Sequence, residues 1–359
     1  MANIKKPWAA EATLTALFND SNIQSDQDVV DLLKGQGIEV ARRTISDARQ
    51  KFGIPAKSKK EVIEVEFDDE EVDFEVLWGQ VKQMQKALSH IRRDKREVTF
   101  TFTNDEPIGI AFMGDVHLGD LGTDYQQIEE DIKLISETEN LFLICGGDYT
   151  NNFIKKGKNY NEFEVVQPRV QWKLTEYFFS KLQDSIIAVC TGNHDNWTEE
   201  LTQFDALYSI VKSLNLVYTK HGATLDVNLP GQTYKIMFKH NTSARGGLNP
   251  TAAVKQMVRQ DGNADIAALF DTHVGAVEGF IHEGEWRVAV RTGSYKTDDH
   301  WGAAMGFPDD VKASVPVVVL HPQKRFMLYT HNLQEGAEIL NYARDAHTRG
   351  KFGGEDAKK

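Results

Sequence analysis

The stretch IGIAFMGDVH, residues 108–117, places an unbroken apolar run directly before a glycine, an aspartate and a histidine. Runs without charge are typical of strands that are buried on both faces. The glycine allows the backbone to turn sharply where such a strand ends. Ligands of open α/β sheets bind at the carboxyl ends of the strands. The stretch therefore predicts a buried strand that carries Asp115 and His117 to a binding edge of a sheet.

Other predicted strands downstream also end in polar residues. They are Leu141–Cys145 before Asp148, Ile186–Cys190 before Asn193, His194 and Asp195, Lys235–Lys239 before His240, and Ala267–Phe270 before Asp271 and His273. Helical patterns lie between several of these runs, as at residues 126–137 and 170–182. Alternation of strands and helices predicts an α/β domain with parallel strand pairing, so the polar residues converge on one edge.

The residue types at these strand ends favour metal chemistry. Carboxylate, imidazole and amide donors without thiolate suit Mn²⁺, Fe or Zn²⁺ in a hydrolytic site. Two cations held close together can contact both the attacking and the leaving oxygen of a phosphoryl transfer. A bridging carboxylate is needed to hold two cations so close, and Asp148 is well placed to be that ligand. A single Asp-x-His pair is usually incidental, whereas the complete ordered series is hard to produce by chance. The series therefore predicts a two-metal hydrolytic site.

This ordered series resembles the calcineurin-like metallophosphoesterases over roughly residues 108–320. The resemblance implies a fold in which a sandwich of two mixed sheets is flanked by helices. It implies that Asp115, His117 and His273 hold one metal, that Asp148 bridges, and that Asn193 and His240 hold the second metal. It also implies catalytic roles for His194, which protonates the leaving group or stabilises charge, and for Asp195, which orients His194.

One position departs from that family. The family pattern ends in Gly-His-x-His, whereas residues 270–273 read FDTH, so Asp271 stands where a histidine ligand of the second metal is expected. A carboxylate oxygen still binds metal and shifts the preference toward harder ions. We therefore predict two divalent cations, with Mn²⁺ favoured over Mg²⁺, Fe or Zn²⁺, and include Asp271 among the ligands. The alternative is a structural aspartate beside a weaker second site.

Several further residues are open to more than one interpretation. Asn151 and Asn152 contact substrate or simply form a turn. Arg169, Arg245 and Arg291 bind phosphate oxygens or serve as ordinary surface residues. Cys145 and Cys190 lie in apolar runs, which favours buried free thiols in a reducing cytoplasm over a disulfide.

The N-terminal residues 1–57 have the layout of a helix-turn-helix, with Ser25 as a helix cap and Gly35 and Gly37 in the turn. The sequence from Ser25 to Pro55, with Ala-Arg-Arg-Thr at 41–44, resembles the DNA-binding helix-turn-helix of the bacterial nitrogen-regulation sigma factor. The resemblance implies DNA contacts, and the residues that it implicates are Arg42, Arg43, Thr44 and Arg49. Asp47 and Ala48 replace a basic and an aromatic residue of that pattern, which weakens phosphate contact. A solvated basic helix is the alternative.

Charge divides the chain further. The formal net charge is −12, yet residues 34–60 are mainly basic and residues 61–75 are acidic without a basic residue. We predict an acidic linker and amphipathic helix at 58–98, a metallophosphoesterase domain at 99–335, and a C-terminal helix with a flexible tail at 336–359. In the amphipathic helix, Leu77, Val81, Met84, Leu88 and Ile91 share one face, which packs on the main domain or pairs with a second copy through helix 76–96 to form a homodimer.

These patterns favour a DNA-directed nuclease or DNA-processing phosphodiesterase. A phosphatase or nucleotide phosphodiesterase with an N-terminal protein-docking domain is the alternative, and a DNA-binding scaffold with a vestigial metal site is a third hypothesis. A small basic domain joined to an acidic enzyme is typical of phage architecture. The chain contains neither an apolar run long enough to cross a membrane nor a signal peptide, so we expect a cytoplasmic protein without a membrane partner.

Overall fold

The computed structural model describes residues 10–56, 73–91, 97–154, 164–243, 249–298 and 313–356. Arg245, most of the predicted acidic linker and the last three residues lie outside these ranges. The chain divides into two compact units, an N-terminal unit, Met1–Gln85, and a C-terminal unit, Lys86–Lys359.

The N-terminal unit contains the helices α1 (Glu11–Asn19), α2 (Asp26–Gly35) and α3 (Arg42–Lys51). Ser25 caps α2, because its hydroxyl accepts the N–H of Asp28 while the carboxylate of Asp28 accepts the N–H of Ser25 at 2.7 Å. The helices enclose a small apolar core formed by Leu14, Phe18, Ile23, Val29, Leu33 and Ile45. The small helical domain that the sequence predicts is therefore confirmed.

The next helix, α4 (Phe74–Ile91), crosses the boundary between the two units. Its large apolar side chains are exposed, with exposed fractions of 78% for Phe74, 66% for Trp78 and 66% for Met84. The predicted amphipathic helix is thus present, and its apolar face is open to solvent.

The C-terminal unit is built on two mixed sheets. The strands are β1 (Glu97–Thr101), β2 (Ile108–Met113), β3 (Leu141–Cys145), β4 (Ile186–Val189), β5 (Ala223–Leu229), β6 (Gln232–Lys239), β7 (Ile266–Leu269), β8 (Ala276–His282), β9 (Glu285–Arg291), β10 (Val317–Leu320) and β11 (Met327–Thr330). The first sheet has the strand order β11-β10-β2-β3-β4, and the second has the order β1-β5-β6-β7-β9-β8. In the first sheet β2, β3 and β4 run parallel, and in the second sheet β6, β7 and β9 run parallel.

Helices cover the outer faces of both sheets. The helices are α5 (Tyr125–Glu137), α6 (Pro168–Leu182), α7 (Asn193–Thr202), α8 (Ala206–Ser213), α9 (Ala252–Asp261) and α10 (Leu333–Asp356). Residues of α5, α6, α8 and α10 share a core with the first sheet, and α9 shares one with the second. The predicted sandwich of two mixed sheets flanked by helices is confirmed.

Strand β2 shows why the deciding stretch is apolar throughout. Ile108, Ile110 and Phe112 face the core between the sheets, whereas Ala111 and Met113 face the helical layer. Both faces are buried, so no position tolerates a charge. A Cβ atom on Gly109 would lie 3.1 Å from a methyl carbon of Leu340, so the glycine lets α10 pack closely on the strand.

The C-terminal helix is longer than the sequence predicts and packs into the core of the first sheet. It begins at Leu333 rather than at residue 336 and continues to Asp356, through the segment predicted to be a flexible tail. Leu333, Ala337 and Leu340 are buried, and Leu333 and Leu340 belong to the core of the first sheet.

Candidate metal centre

The predicted ligands meet where the two sheets present the carboxyl ends of their central strands. Asp115 and His117 follow β2, Asp148 follows β3, Asn193 follows β4, His240 follows β6, and Asp271 and His273 follow β7. Asp115, His117, Asp148 and His240 are each no more than 3% exposed. Buried groups of this polarity require partners, and here their partners are one another.

The first group of donors combines residues from both sheets. Nε2 of His117 lies 3.1 Å from Nε2 of His273, and Nε2 of His273 lies 3.5 Å from Oδ1 of Asp115. The ligand atoms of these three residues all lie within 4.8 Å of one another. This spacing lets one cation contact all three.

The second group of donors surrounds His240. Its Nε2 lies 3.0 Å from Oδ1 of Asn193, 3.4 Å from Oδ2 of Asp148 and 3.6 Å from Oδ1 of Asp271. Asp148 belongs to this group and also to a group with His117 and His194. Its carboxylate therefore stands between the two sets of donors, where a bridging ligand is needed.

Contacts behind the ligands fix their orientation. Nδ1 of His240 lies 2.7 Å from the carbonyl oxygen of Gly146, and a proton shared there leaves the Nε2 lone pair directed at the cluster. The backbone N–H of Asp271 donates to Oδ2 of Asp115 at 3.1 Å. Among the described residues, Nδ1 of His117 is buried without a hydrogen-bond partner.

The backbone of the ligand loops is strained. Asp115, His117, Asp148, Asp271 and His273 have φ angles between 51° and 75°. L-residues rarely adopt this left-handed conformation, which costs roughly 1–2 kcal/mol for each residue. Strain of this kind collects at functional sites because the surrounding structure compensates for it.

Burial and the neighbouring charges set the protonation of the cluster. Burial and the adjacent His194 and His273 hold the pKa of His117 well below its usual value. Burial opposes charge on His240, but Asp148 outweighs it and raises the pKa of His240 well above its usual value. Burial also opposes charge on Asp148, yet His240 holds the pKa of this carboxyl below its usual range. A proton on His240 thus balances the charge of the buried carboxylates. A divalent cation would displace that proton, so the donor set fits a divalent metal.

His194 lies beside the donors at the start of α7. Its backbone N–H donates to Oδ1 of Asp148 at 2.9 Å, and its Nδ1 lies 2.5 Å from the carbonyl oxygen of Asn151. The ring packs against Trp197, with 4.1 Å between the ring centroids and a 31° angle between the planes. These contacts leave Nε2 of His194 as the ring nitrogen available to a substrate.

The predicted role of Asp195 needs correction. Its carboxylate accepts the backbone N–H groups of Asp148 at 2.8 Å, Gly192 at 3.0 Å and Tyr149 at 3.1 Å, while the carbonyl of Asn151 holds His194. Burial and the charge of Asp148 raise the pKa of Asp195 to about 7 despite these hydrogen bonds. Asp195 therefore ties the loop after β3 to the start of α7 and does not orient the imidazole directly.

The remaining candidates have distinct positions. The amide nitrogen of Asn152 donates to the carbonyl oxygen of His194 at 2.7 Å, and Asn151 is fully buried with its side-chain amide unpartnered among the described residues.

Arg291 is 7% exposed and donates through Nη1 to the carbonyl oxygen of Phe270 at 2.8 Å, so it supports the loop after β7. Arg169 is exposed on α6. Cys145 and Cys190 are buried free thiols, as predicted.

An aromatic wall beside His194 was not predicted. It consists of Phe153 and Trp197, whose ring centroids lie 5.1 Å and 4.1 Å from the centroid of His194. The i, i+3 spacing of His194 and Trp197 on α7 was the available signal. Phe153 lies on a loop that packs here only in the folded chain, so its sequence position gave no signal.

In the N-terminal unit, Arg42, Arg43 and Thr44 are exposed at the start of α3, but the prediction for Arg49 is wrong. Arg49 is 7% exposed, its Nε donates to Oδ1 of Asp26 at 2.8 Å, and its Nη1 donates to the carbonyl oxygen of Ile54 at 2.7 Å. Arg49 follows the buried Ile45 by one helical turn and so faces the core. It joins α2 to α3 and is not free to contact DNA.

Two mixed sheets with Asp, His and Asn donors at their strand ends define a metal-dependent hydrolase. Residues 108–286 match the family model of the calcineurin-like phosphoesterases. The C-terminal unit therefore belongs to the calcineurin-like phosphoesterase family, which binds two divalent metals. Residues 10–62 match the model of the Sigma-54 DNA-binding domain.

The solved structures that match this chain share little sequence with it. Vacuolar protein sorting 29 from Cryptosporidium parvum has a TM-score of 0.36 and 13% identity over 63% of this chain and 98% of its own. The calcineurin-like phosphoesterase YfkN from Bacillus subtilis has a TM-score of 0.35 and 10% identity over 68% and 98% of the two chains. A metallophosphoesterase from Sphaerobacter thermophilus has a TM-score of 0.32 and 13% identity over 62% and 87%. No curated protein matches the chain.

Within the described ranges, no helix combines the length and apolarity needed to cross a bilayer.

Proposed function

We propose that this protein hydrolyses phosphodiester bonds of DNA, with the C-terminal unit as the hydrolase and the N-terminal unit as a DNA-binding module. One observation carries the proposal: a single chain joins a phosphoesterase donor cluster to a unit that matches a DNA-binding domain and exposes Arg42 and Arg43. With a net charge of −12, the chain needs a local basic surface to approach a polyanion.

In this proposal each ligand has a definite place. Asp115, His117 and His273 hold the first cation, Asn193, His240 and Asp271 hold the second, and Asp148 lies between them. When bound, the two cations activate a water molecule and balance the charge of phosphoryl transfer.

His194 acts as the general acid. Nδ1–H of His194 donates a hydrogen bond to the carbonyl oxygen of Asn151 at 2.5 Å, which holds the ring in place. Nε2–H then donates to the oxygen of the leaving group. Trp197 and the Asn151 carbonyl restrain the ring, which reduces the cost of orienting it in each turnover.

The residue at 271 supports Mn²⁺ as the working metal. Asp271 offers a carboxylate oxygen where the family pattern has an imidazole, and its Oδ1 lies 3.6 Å from Nε2 of His240. Oxygen donors favour harder cations, and Mn²⁺ accepts both oxygen and imidazole ligands.

The N-terminal unit contacts DNA through the start of α3. Its exposed Arg42, Arg43 and Thr44 stand at the start of a helix that has no side-chain cap. In helix-turn-helix proteins the N-terminal residues of the second helix reach the base edges.

Cleavage of single-stranded, double-stranded and nicked DNA with Mn²⁺, beside a chromogenic phosphodiester, tests the proposal. We expect the His194→Ala variant to lose cleavage and keep DNA binding. We expect the Arg42→Ala/Arg43→Ala variant to lose DNA binding and keep turnover of the small diester, with exposed Arg349→Ala as the matched control. Intact DNA under every condition would reject the proposal, and phosphomonoester turnover unaffected by the double variant would favour the phosphatase alternative.

A further inference from the structure

A cavity of about 630 Å³ opens beside the second group of donors, where Asn193 and His240 form part of its wall. It extends away from the metal centre between α7, β5 and β6. The wall beyond the two ligands includes Asn196, His221, Thr224, Met237, Lys239 and Asn241. Pockets for small organic ligands have volumes of roughly 300–1,000 Å³, so one nucleotide fits.

The cavity lacks the acidic character of the rest of the chain. The sequence has 53 acidic and 41 basic residues, yet none of the described residues that line the cavity is an aspartate or a glutamate. Besides the ligand His240, Lys239 and His221 are the lining groups that can carry positive charge. A lining of this kind admits an anionic, polar ligand that an acidic cavity would repel.

Hydrogen-bonding groups in the wall are available to a ligand. The side-chain amides of Asn196 and Asn241 and the hydroxyl of Thr224 make no hydrogen bond to another described residue, and all three side chains are at least partly exposed. Each amide offers both a donor and an acceptor, which is the combination that bases and sugars present.

The position of the cavity distinguishes the two sides of a bound diester. Asn193 and Asn196 line the cavity, whereas His194 and Trp197 pack with Phe153 and are not among its described lining residues. The first turn of α7 therefore separates the cavity from the general acid. Since the leaving group departs beside His194, the cavity lies on the side of the part that remains attached to phosphorus.

We propose that this cavity binds the nucleoside that stays attached to the scissile phosphate. Asn196 and Asn241 hydrogen-bond to its base or sugar, and Lys239 balances the charge of the adjacent phosphate. This inference rests on the proposed phosphodiesterase function. Asn196 lies one turn along α7 from Asn193, and Asn241 follows His240 directly, so the metal ligands fix the distance between nucleoside and reaction centre.

Two esters with the same leaving group test the inference: the p-nitrophenyl ester of thymidine 5′-monophosphate and p-nitrophenyl phenylphosphonate, which has no nucleoside. We expect the native protein with Mn²⁺ to prefer the thymidine ester in kcat/KM. In the Asn196→Ala/Asn241→Ala variant that preference should fall about tenfold, mainly through KM, because the variant loses two side chains that hydrogen-bond to the nucleoside. Asn104→Ala, an exposed asparagine before the opposite end of β2, is the matched control and should leave the preference unchanged.

Calorimetric titration with thymidine 5′-monophosphate gives a second readout that does not depend on turnover. We expect the double variant to bind it about tenfold more weakly than Asn104→Ala does. Equal preference for both esters, or equal nucleotide affinity in the two variants, would overturn the cavity assignment and leave the proposed function standing. If no diester and no DNA is hydrolysed, the proposed function fails, and the titration alone decides the assignment.

Discussion

Asp148 shows how one residue connects the two donor groups. Its Oδ1 accepts the N–H of His194 at 2.9 Å, its Oδ2 lies 3.4 Å from Nε2 of His240, and its own N–H is held by Asp195. Two neighbours thus contact the carboxylate, and a third holds the backbone behind it. Its backbone φ angle of 54° lies in the left-handed region, so this position carries a local conformational cost.

Asp271 gives a prediction about metal preference. We expect Asp271→His to shift the preference of the site from Mn²⁺ toward Zn²⁺, because imidazole is a softer donor than carboxylate. Competitive titration of both metals against native protein and variant measures the ratio of their dissociation constants, which should change about tenfold or more. Asp226→His on β5, where the aspartate side chain is 44% exposed, serves as the control. An unchanged ratio would mean that Asp271 is not a ligand.

Trp197 gives a prediction about positioning. We expect Trp197→Ala to lower kcat for a small diester by roughly tenfold with little change in KM, because a looser His194 ring donates its proton less often in the correct geometry. Trp197→Phe keeps a flat ring there and should recover most of the loss. A change confined to KM, or no recovery with phenylalanine, would contradict the positioning role.

Arg49 gives a prediction about stability. We expect Arg49→Ala to lower the free energy of unfolding of the N-terminal unit by about 2 kcal/mol or more, because it leaves Asp26 and the Ile54 carbonyl without their partner. Thermal unfolding followed by circular dichroism measures this, and exposed Arg42→Ala should leave the midpoint unchanged. Equal midpoints for the two variants would show that Arg49 is not a structural residue.

At the residue scale, the sequence predicted where the donors lie but not which groups contact Asp195 and Arg49. Residue type and position after a strand were sufficient to locate all seven donors at one edge. The partners of Asp195 and Arg49 could not be predicted, because a backbone N–H or carbonyl contact leaves no mark on the residue types involved. Phe153 was missed for a similar reason, since only the folded loop brings it to His194.

At the scale of elements, the hydrophobic pattern predicted the strands more accurately than it predicted the ends of the helices. The run at β2 was recognisable because both of its faces are buried. Helix α10 begins earlier and continues further than the sequence predicts, although Gly350 and the other glycines near its end are poor helix formers. Packing of Leu333 and Leu340 against the first sheet outweighs that local preference.

Helix α4 gives a prediction about assembly. Phe74, Leu77, Val81 and Met84 repeat at spacings of three and four residues, and each is 40% or more exposed. We propose that two copies pair along this face, as a/d positions of a short coiled coil do. The native protein should have twice the chain mass by light scattering, and Val81→Glu should have the mass of one chain, with Gln80→Glu as control. A native mass of one chain would reject the pairing.

At the scale of the whole molecule, the protein joins a phosphoesterase fold to a small helical domain. The fold class and the edge that carries the site could be predicted, because strand order along the chain and polar residues at strand ends are both local signals. The cavity beside His240 could not, because it depends on how β5, β6 and α7 meet and on the absence of carboxylates from their facing side chains.

The central claim is that the strand ends hold two divalent cations. Crystals grown with Mn²⁺ and measured at the manganese absorption edge test it most directly, because anomalous scattering locates each ion without assumption about the ligands. Two peaks are expected, one contacting Asp115, His117 and His273 and the other contacting Asn193, His240 and Asp271, with Asp148 between them. A single peak, or none at these residues, would contradict the two-metal site.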